Sequence, residues 1–148
     1  MTGRDYQDRW LAEQVRLGAD EARARFATAR VARLATITPE GRPHVVPIVF
    51  ALAGDVLYSA VDAKPKRTTA LQRLANIAAD PRAAVLADHY ADDWTRLWWV
   101  RADGSARVTE AGSEVLDRLA EKYPQYRTAP PPGPALEITV QRWSGWAP

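Results

Sequence analysis

The sequence has no cysteine. That excludes disulfides, thiolate metal sites and a cysteine nucleophile, and it suits a reducing compartment. Only two histidines are present, His44 and His89, too few for a histidine-based metal centre, so no metal is expected. No apolar run approaches the ~18 residues that span a bilayer, and the charged N-terminus does not read as a secretory signal. The expectation is a cytoplasmic protein with no membrane partner. Charge of one sign is also missing: 20 Lys+Arg stand against 18 Asp+Glu, a net +2. There is no broad polycationic face for a nucleic-acid duplex, and nucleic acid is not expected as a partner.

What is present is an ordinary globular composition, 47% hydrophobic and 26% charged over 148 residues. A chain of this length fits one domain over 1–148, with room for one sizeable core. Residues 56–61, Val-Leu-Tyr-Ser-Ala-Val, carry the β-branched and aromatic content of a buried strand, and Gly54-Asp55 ahead of them is a hairpin signal. Directly behind come Lys64, Lys66 and Arg67, three cations within four residues, then Thr68 and Thr69 at the start of a helical pattern. A helix N-terminus offers free N–H groups and a positive dipole end. With Lys as point charge and Arg as bidentate fork, the turn suits a phosphate. The alternative is a solvated basic surface turn, which charge alone does not separate from it.

Taken in order, residues 5–30 show apolar positions at helical spacing, Trp10, Leu11, Val15, Leu17, Ala22 and Phe26. The pattern breaks at Gly18 and Asp20 is placed to cap, which predicts two short N-terminal helices. Residues 31–37 and 43–52 alternate as strands around the turn at 38–42, the second strand long. Pro47 cannot donate to a ladder and belongs at an edge or bulge, where it either frees neighbouring backbone for a ligand or simply protects an edge. Ala70, Leu71, Leu74, Ile77 and Ala78 make an apolar helix stripe ended by Asp80-Pro81. A strand at 83–87, a polar loop containing His89 and strands at 95–101 and 105–109, joined by an Ala102-Asp103-Gly104 turn, follow. Adjacent Trp98 and Trp99 point to opposite faces, so one leaves the local core for an interface or a pocket. A helix at 114–123, an extended proline-rich loop, a strand at 136–140 and an aromatic tail, residues 143–148, packed on the body complete the chain. The fold class is mainly β (α+β): a six- to seven-stranded antiparallel barrel, closed or split, with peripheral helices. A homodimer would cover the tryptophans left outside.

Several stretches, in their order and spacing, resemble one family. They are residues 33–37 (Arg-Leu-Ala-Thr-Ile), 41–50 from Gly41 through Pro43 and His44 to Phe50, Leu57-Tyr58-Ser59, the basic turn, Leu74-Ala75-Asn76-Ile77 and Asp80-Pro81-Arg82. Together they are similar to the split β-barrel flavin-binding proteins, which include pyridoxine 5′-phosphate oxidase and the deazaflavin-dependent reductases of actinobacteria. Trp98-Trp99-Val100-Arg101 and the Trp143-Ser144-Gly145-Trp146 ending are most like the branch of probable F420-dependent oxidoreductases.

The resemblance implies a split barrel, 31–142, whose cofactor sites lie at the interface of a homodimer. It implies a strand backbone at Val46, Pro47, Ile48 and Val49 facing the cofactor ring, and Ser59 beside the ring. Lys64, Lys66, Arg67 and Thr68 would hold the phosphate, and one of Trp98, Trp99 and Arg101, together with Trp143, would reach the site from the second subunit. The implied cofactor is coenzyme F420, with FMN as the alternative, and the implied reaction is hydride transfer between reduced cofactor and a small organic acceptor. A non-catalytic cofactor-binding protein is a third reading. Arg42 and Arg73, as further exposed cations, would favour the long anionic tail of F420. Tyr58, Tyr90 and His44 are candidate proton donors among which the sequence does not choose, and no catalytic residue is assigned. The substrate-phosphate and C-terminal arginine motifs of pyridoxine phosphate oxidation have no counterpart near the tail.

Overall fold

The structure is a computed structural model that describes residues 15–61 and 67–148; of Val15 and of residues 67–71 it describes the backbone alone. The first of the two expected N-terminal helices and Lys64 and Lys66 lie outside the described residues.

The elements run β1 (Val15–Arg16), α1 (Ala19–Thr28), β2 (Ala32–Ile37), β3 (Pro43–Ile48), β4 (Ala51–Ala53), β5 (Val56–Ala60), α2 (Arg67–Ala79), β6 (Arg82–His89), β7 (Trp98–Thr109), α3 (Ser113–Lys122), α4 (Gln125–Thr128) and β8 (Ala135–Ala147). All strand pairs are antiparallel, in the order β3-β2-β6-β7-β8-β5-β4, with β1 added to the end of β8. The two outer strands, β3 and β4, are joined by only Val49 and Phe50, yet no ladder closes the sheet there. The result is a split barrel.

Period-two burial explains how the sheet wraps. Ala32, Leu34 and Thr36 of β2, Val46 and Ile48 of β3, Ala83, Val85 and Ala87 of β6 and Val100 and Ala102 of β7 all turn inward. They form one core with Leu57, Ile138 and Val140, and Phe26 of α1 and Ile77 of α2 pack into it. A second cluster sits outside β4 and β5, where Val115 and Leu119 of α3 and Tyr123 and Tyr126 meet Ala51, Ala60 and Ala135.

The structure corrects several expectations. Val15–Arg16 is a strand, and Leu17 N–H donates to the Gly145 carbonyl at 3.0 Å. β5 pairs with β8 only as far as Thr139, so the far end of β8 has backbone groups that β1 satisfies. Gly18, not Asp20, caps α1, and Asp20 sits in the first turn, where the helix dipole favours it. The long strand expected over 43–52 breaks at Val49-Phe50 into β3 and β4. No hairpin forms at residues 102–104: β7 runs through as one 12-residue strand. Gly104 permits this, since a Cβ there would fall on the Thr139 carbonyl oxygen of β8, and the register shift beside it leaves Gln141 as the extra residue. His89 is the end of β6, paired with Trp98, rather than a loop residue. The proline-rich connection starts with a short helix, α4. Most of the expected aromatic tail is not a tail, because β8 carries it in the sheet as far as Ala147, with Trp146 opposite Trp99. No helix among the described residues is long and apolar enough to cross a membrane.

Candidate functional site

The free edge of β3 and the N-terminal half of α2 form the candidate site. Along β3 and just past it, Val46 and Ile48 point into the core, Pro47 is exposed on the outer face and Val49 is half-buried. The break after Ile48 is held by two hydroxyls. Ser59 donates to the Val49 carbonyl at 2.8 Å. The Tyr123 hydroxyl accepts from Phe50 N–H at 3.0 Å and lies 3.0 Å from the carbonyl oxygens of Phe50 and Arg30, to which its proton can go. Burial pushes the Tyr123 phenol above its ordinary pKa.

Helix α2 is fastened across the barrel end by a buried polar link. Asn76, fully buried, donates to the Thr36 hydroxyl at 3.1 Å and accepts from Gln72 at 2.7 Å. Its spacing explains the site: Arg73 lies three residues before Asn76, hence on a neighbouring position of the same helix side. Opposite Thr36 in the β2–β3 ladder is His44. Arg73 Nε and His44 Nδ1 are buried and have no hydrogen-bond partner among the described residues. Burial lowers the pKa of the Arg73 guanidinium. A buried N–H that meets no acceptor is costly. An acceptor group, such as an anion, fits the Arg73 Nε donor beside the Asn76–Thr36 link.

The remaining sequence candidates are distributed unevenly. Arg67 and Thr68 open α2, so the backbone of both stands at the helix N-terminus. Trp99 lies half-buried on the outer face of β7. Trp143 is paired with inward-facing Ala102, so its ring is on the other side of the sheet. There it donates to Asp55 at 2.9 Å and packs edge-on to Phe26 at 5.3 Å. Within one chain, then, Ser59 is tied to the residue that follows β3 by its hydrogen bond to Val49, and Trp99 and Trp143 lie on opposite faces of the sheet. Arg73 is half-buried rather than an exposed cation as expected, and Tyr90 is exposed. Asn76 and Tyr123 were not foreseen as supports. The signal for Asn76 was a polar residue set inside an apolar stripe, between Leu74 and Ile77.

The outer face of β3, β2, β6 and β7 is open. Val45 is 60% exposed and Leu86 36%, and beside them a cleft of about 560 Å³ is lined by Ala35, Ile37, Pro43, Ala84, Asp103 and Gln141, among others. Arg33 and Asp88 form an ion pair on the same face at 3.6 Å.

An antiparallel sheet that wraps round without a ladder closing it among the described residues defines the class, a split barrel. Residues 19–147 match the pyridoxamine 5′-phosphate oxidase family. The chain belongs to that family, which comprises flavin-binding, oxidoreductase-type split barrels. Solved structures agree on the fold. An FAD-binding protein from Mesorhizobium loti superposes with a TM-score of 0.70 at 21% identity, over 90% of this chain and 97% of that one. A conserved hypothetical protein from Mycobacterium tuberculosis gives 0.69 at 24% identity, over 88% and 85%. A heme storage protein from Vibrio cholerae gives 0.62 at 16% identity, over 83% and 87%. No curated protein matches the chain.

Proposed function

We propose that the protein is a coenzyme F420-dependent oxidoreductase that passes a hydride from reduced cofactor to a small organic acceptor. The observation that supports the cofactor reading is Arg73, half-buried and lowered in pKa by burial, whose Nε has no hydrogen-bond partner among the described residues. In this reading Arg73, Arg67, Thr68, Lys64 and Lys66 hold the phosphate. The edge at Val46, Pro47, Ile48 and Val49, with Ser59 behind it, orients the ring. Arg42 at the β2–β3 turn adds charge toward a long anionic tail. Bound cofactor would supply the hydride chemistry; the chain's own residues bind it, fix its orientation and keep water out. Tyr58, Tyr90 and His44 are the available proton donors.

The reading includes a cytoplasmic homodimer that buries the apolar outer face around Val45 and Leu86. The dimer brings Trp99 of one subunit toward the other's site, while Trp143 stays on the inner side of its own sheet against Asp55 and Phe26. FMN dependence is the second reading, favoured by the flavin named for the Mesorhizobium structure. A binding protein without turnover is the third, favoured by the storage role named for the Vibrio structure.

The test is a parallel fluorescence titration with F420 and with FMN, on the wild type, on Arg73→Ala and on Lys66→Ala/Arg67→Ala. Loss of one charge-assisted contact is expected to weaken the preferred cofactor by roughly tenfold to a hundredfold. Preference for F420 supports the first reading and preference for FMN the second. Binding of neither would sink both. Reoxidation of bound reduced cofactor by a panel of acceptors separates an enzyme from a binding protein.

A further inference from the structure

β3 ends the sheet, so half of its backbone groups meet no neighbouring strand, and the sequence settles which half. In an antiparallel ladder, opposed residues alternate between pairs that exchange two hydrogen bonds and pairs that exchange none; residues of the second kind turn N–H and C=O the other way. Pro47 stands opposite Arg33 and Pro43 opposite Ile37. Proline has no N–H to exchange, so both are pairs of the second kind, and Val45 opposite Ala35 is in phase with them. The turn agrees: Thr38 N–H donates to the Arg42 carbonyl at 2.8 Å, which makes 38–42, and with it 36–44, 34–46 and 32–48, the bonded set.

His44, Val46 and Ile48 therefore spend their backbone groups on β2, and Pro43, Val45 and Pro47 direct theirs to the free edge. That edge holds three carbonyls and a single N–H, from Val45, and among the described residues none of the four has a hydrogen-bond partner. Beyond it the Val49 carbonyl already accepts from Ser59, and Phe50 N–H and C=O meet the Tyr123 hydroxyl. A strand added from another chain calls for an N–H at every second residue. Two of the three are missing here, so the edge is guarded against strand addition. What suits it is a group that needs one donor beside one acceptor.

We infer that Val45 is the residue through which this edge reads a planar ring, its N–H donating to a ring carbonyl and its own carbonyl accepting from the adjoining ring N–H. The ligand class is a heterocycle with a lactam or imide rim. The inference rests on the cofactor reading above, since flavin and deazaflavin rings both carry such a rim. It moves the polar contact one residue ahead of the stretch 46–49, where Val46 and Ile48 have no free backbone group and Pro47 can only accept. A site that hydrogen-bonds a ring N–H rejects an analogue lacking it more sharply than a packing contact does.

The experiment removes the N–H from either side of the contact. Val45→Pro deletes the outward N–H and spares the β2 ladder, in which position 45 exchanges no bond; Val45→Ala loses the same side chain and keeps the N–H. Dissociation constants are measured by fluorescence titration for riboflavin, 8-hydroxy-5-deazariboflavin and the N3-methyl derivative of each. Val45→Pro is expected to bind the preferred ring roughly tenfold more weakly than Val45→Ala. N3-methylation is expected to weaken binding to the wild type by roughly tenfold or more, and to Val45→Pro by less, because half of the contact is already gone. If Val45→Pro does not fold, the methyl comparison on the wild type carries the test alone. Equal affinities for Val45→Pro and Val45→Ala, or for methylated and parent rings on the wild type, overturn the role of Val45 and leave the cofactor reading standing. So does a Val45→Pro protein that keeps its ring affinity but sediments as a smaller species than Val45→Ala, which would place a strand on the edge. A wild type that binds no ring of either kind, with or without its phosphate, overturns the cofactor reading, and the role of Val45 with it.

Discussion

Lys122 sets up a sharp prediction about stability. Its ammonium lies over the Phe50 ring without a hydrogen-bond partner, and burial, helped by the nearby Arg30 charge, lowers its pKa from 10.5 to about 8. A lysine depressed in the folded state binds fewer protons there than in the unfolded chain over the interval between the two values. Stability therefore rises with pH from about 8 to 10.5 and is flat below 8, where both states are charged. At 1.36 kcal/mol per pH unit the full interval would correspond to about 3.4 kcal/mol, and because the side chain is only half-buried, screening cuts this to roughly 1–2 kcal/mol. The ring beneath returns about 0.5–1 kcal/mol to the charged form.

Lys122→Met keeps the apolar stem and removes the charge. The variant is expected to be more stable than the wild type at pH 7 by roughly 1 kcal/mol, or about 2–4 °C in Tm. The two should converge by about pH 10.5, because the neutral amine carries no desolvation penalty. Urea denaturation of both proteins at pH 7, 8, 9 and 10 measures this. A variant less stable at pH 7, with the wild type showing no rise above pH 8, would refute the reasoning and mean that the cation–π contact outweighs desolvation.

Two further changes test the fold. Asp55 accepts hydrogen bonds from Trp143 and Arg23, which hold its carboxyl below the usual carboxylate value of 3.8. Its contribution is present above that value and is lost as pH falls through the lower folded pKa, so Asp55→Asn should flatten the acid limb of a Tm-versus-pH curve; an unchanged limb would remove Asp55 from the account. Gly104→Ala would push a methyl onto the Thr139 backbone, and a destabilisation of about 2–4 kcal/mol is expected by urea denaturation. A loss under about 0.5 kcal/mol would show that β7 and β8 can separate there without cost.

Periodicity was the legible part of this chain. Alternation at residues 32–37, 56–60 and 83–87 placed three strands, and the stripe Leu74, Ile77 placed α2, because each pattern reports which side a residue buries. The misreadings share a cause. Asp103-Gly104 has the local chemistry of a turn, but the glycine serves a close approach to Thr139 within a continuous strand. Val15 and Leu17 fit a helical period, yet the open end of β8 supplies hydrogen bonds that a short helix could not better. Both outcomes depend on a partner strand more than 30 residues away.

For the site the division is similar. Cation spacing in Lys64, Lys66 and Arg67 ahead of a helical pattern is a local property, so the sequence by itself marked a candidate anion-binding turn, and it placed the strand before it. What it could not mark was the long-range contacts: that Arg73 would be half-buried with no partner for its Nε among the described residues, that Asn76 would reach Thr36 40 residues away, or that Tyr123 would hold the β3–β4 break across 73 residues. Nor could it place Trp143, whose ring faces Asp55 and Phe26 only because β8 enters the sheet beside β7. Local side-chain pattern settles an element and its chemical character; the contacts that leave a charge unpaired, or pin a strand end, depend on chain closure over long separations and exist only once the barrel has formed.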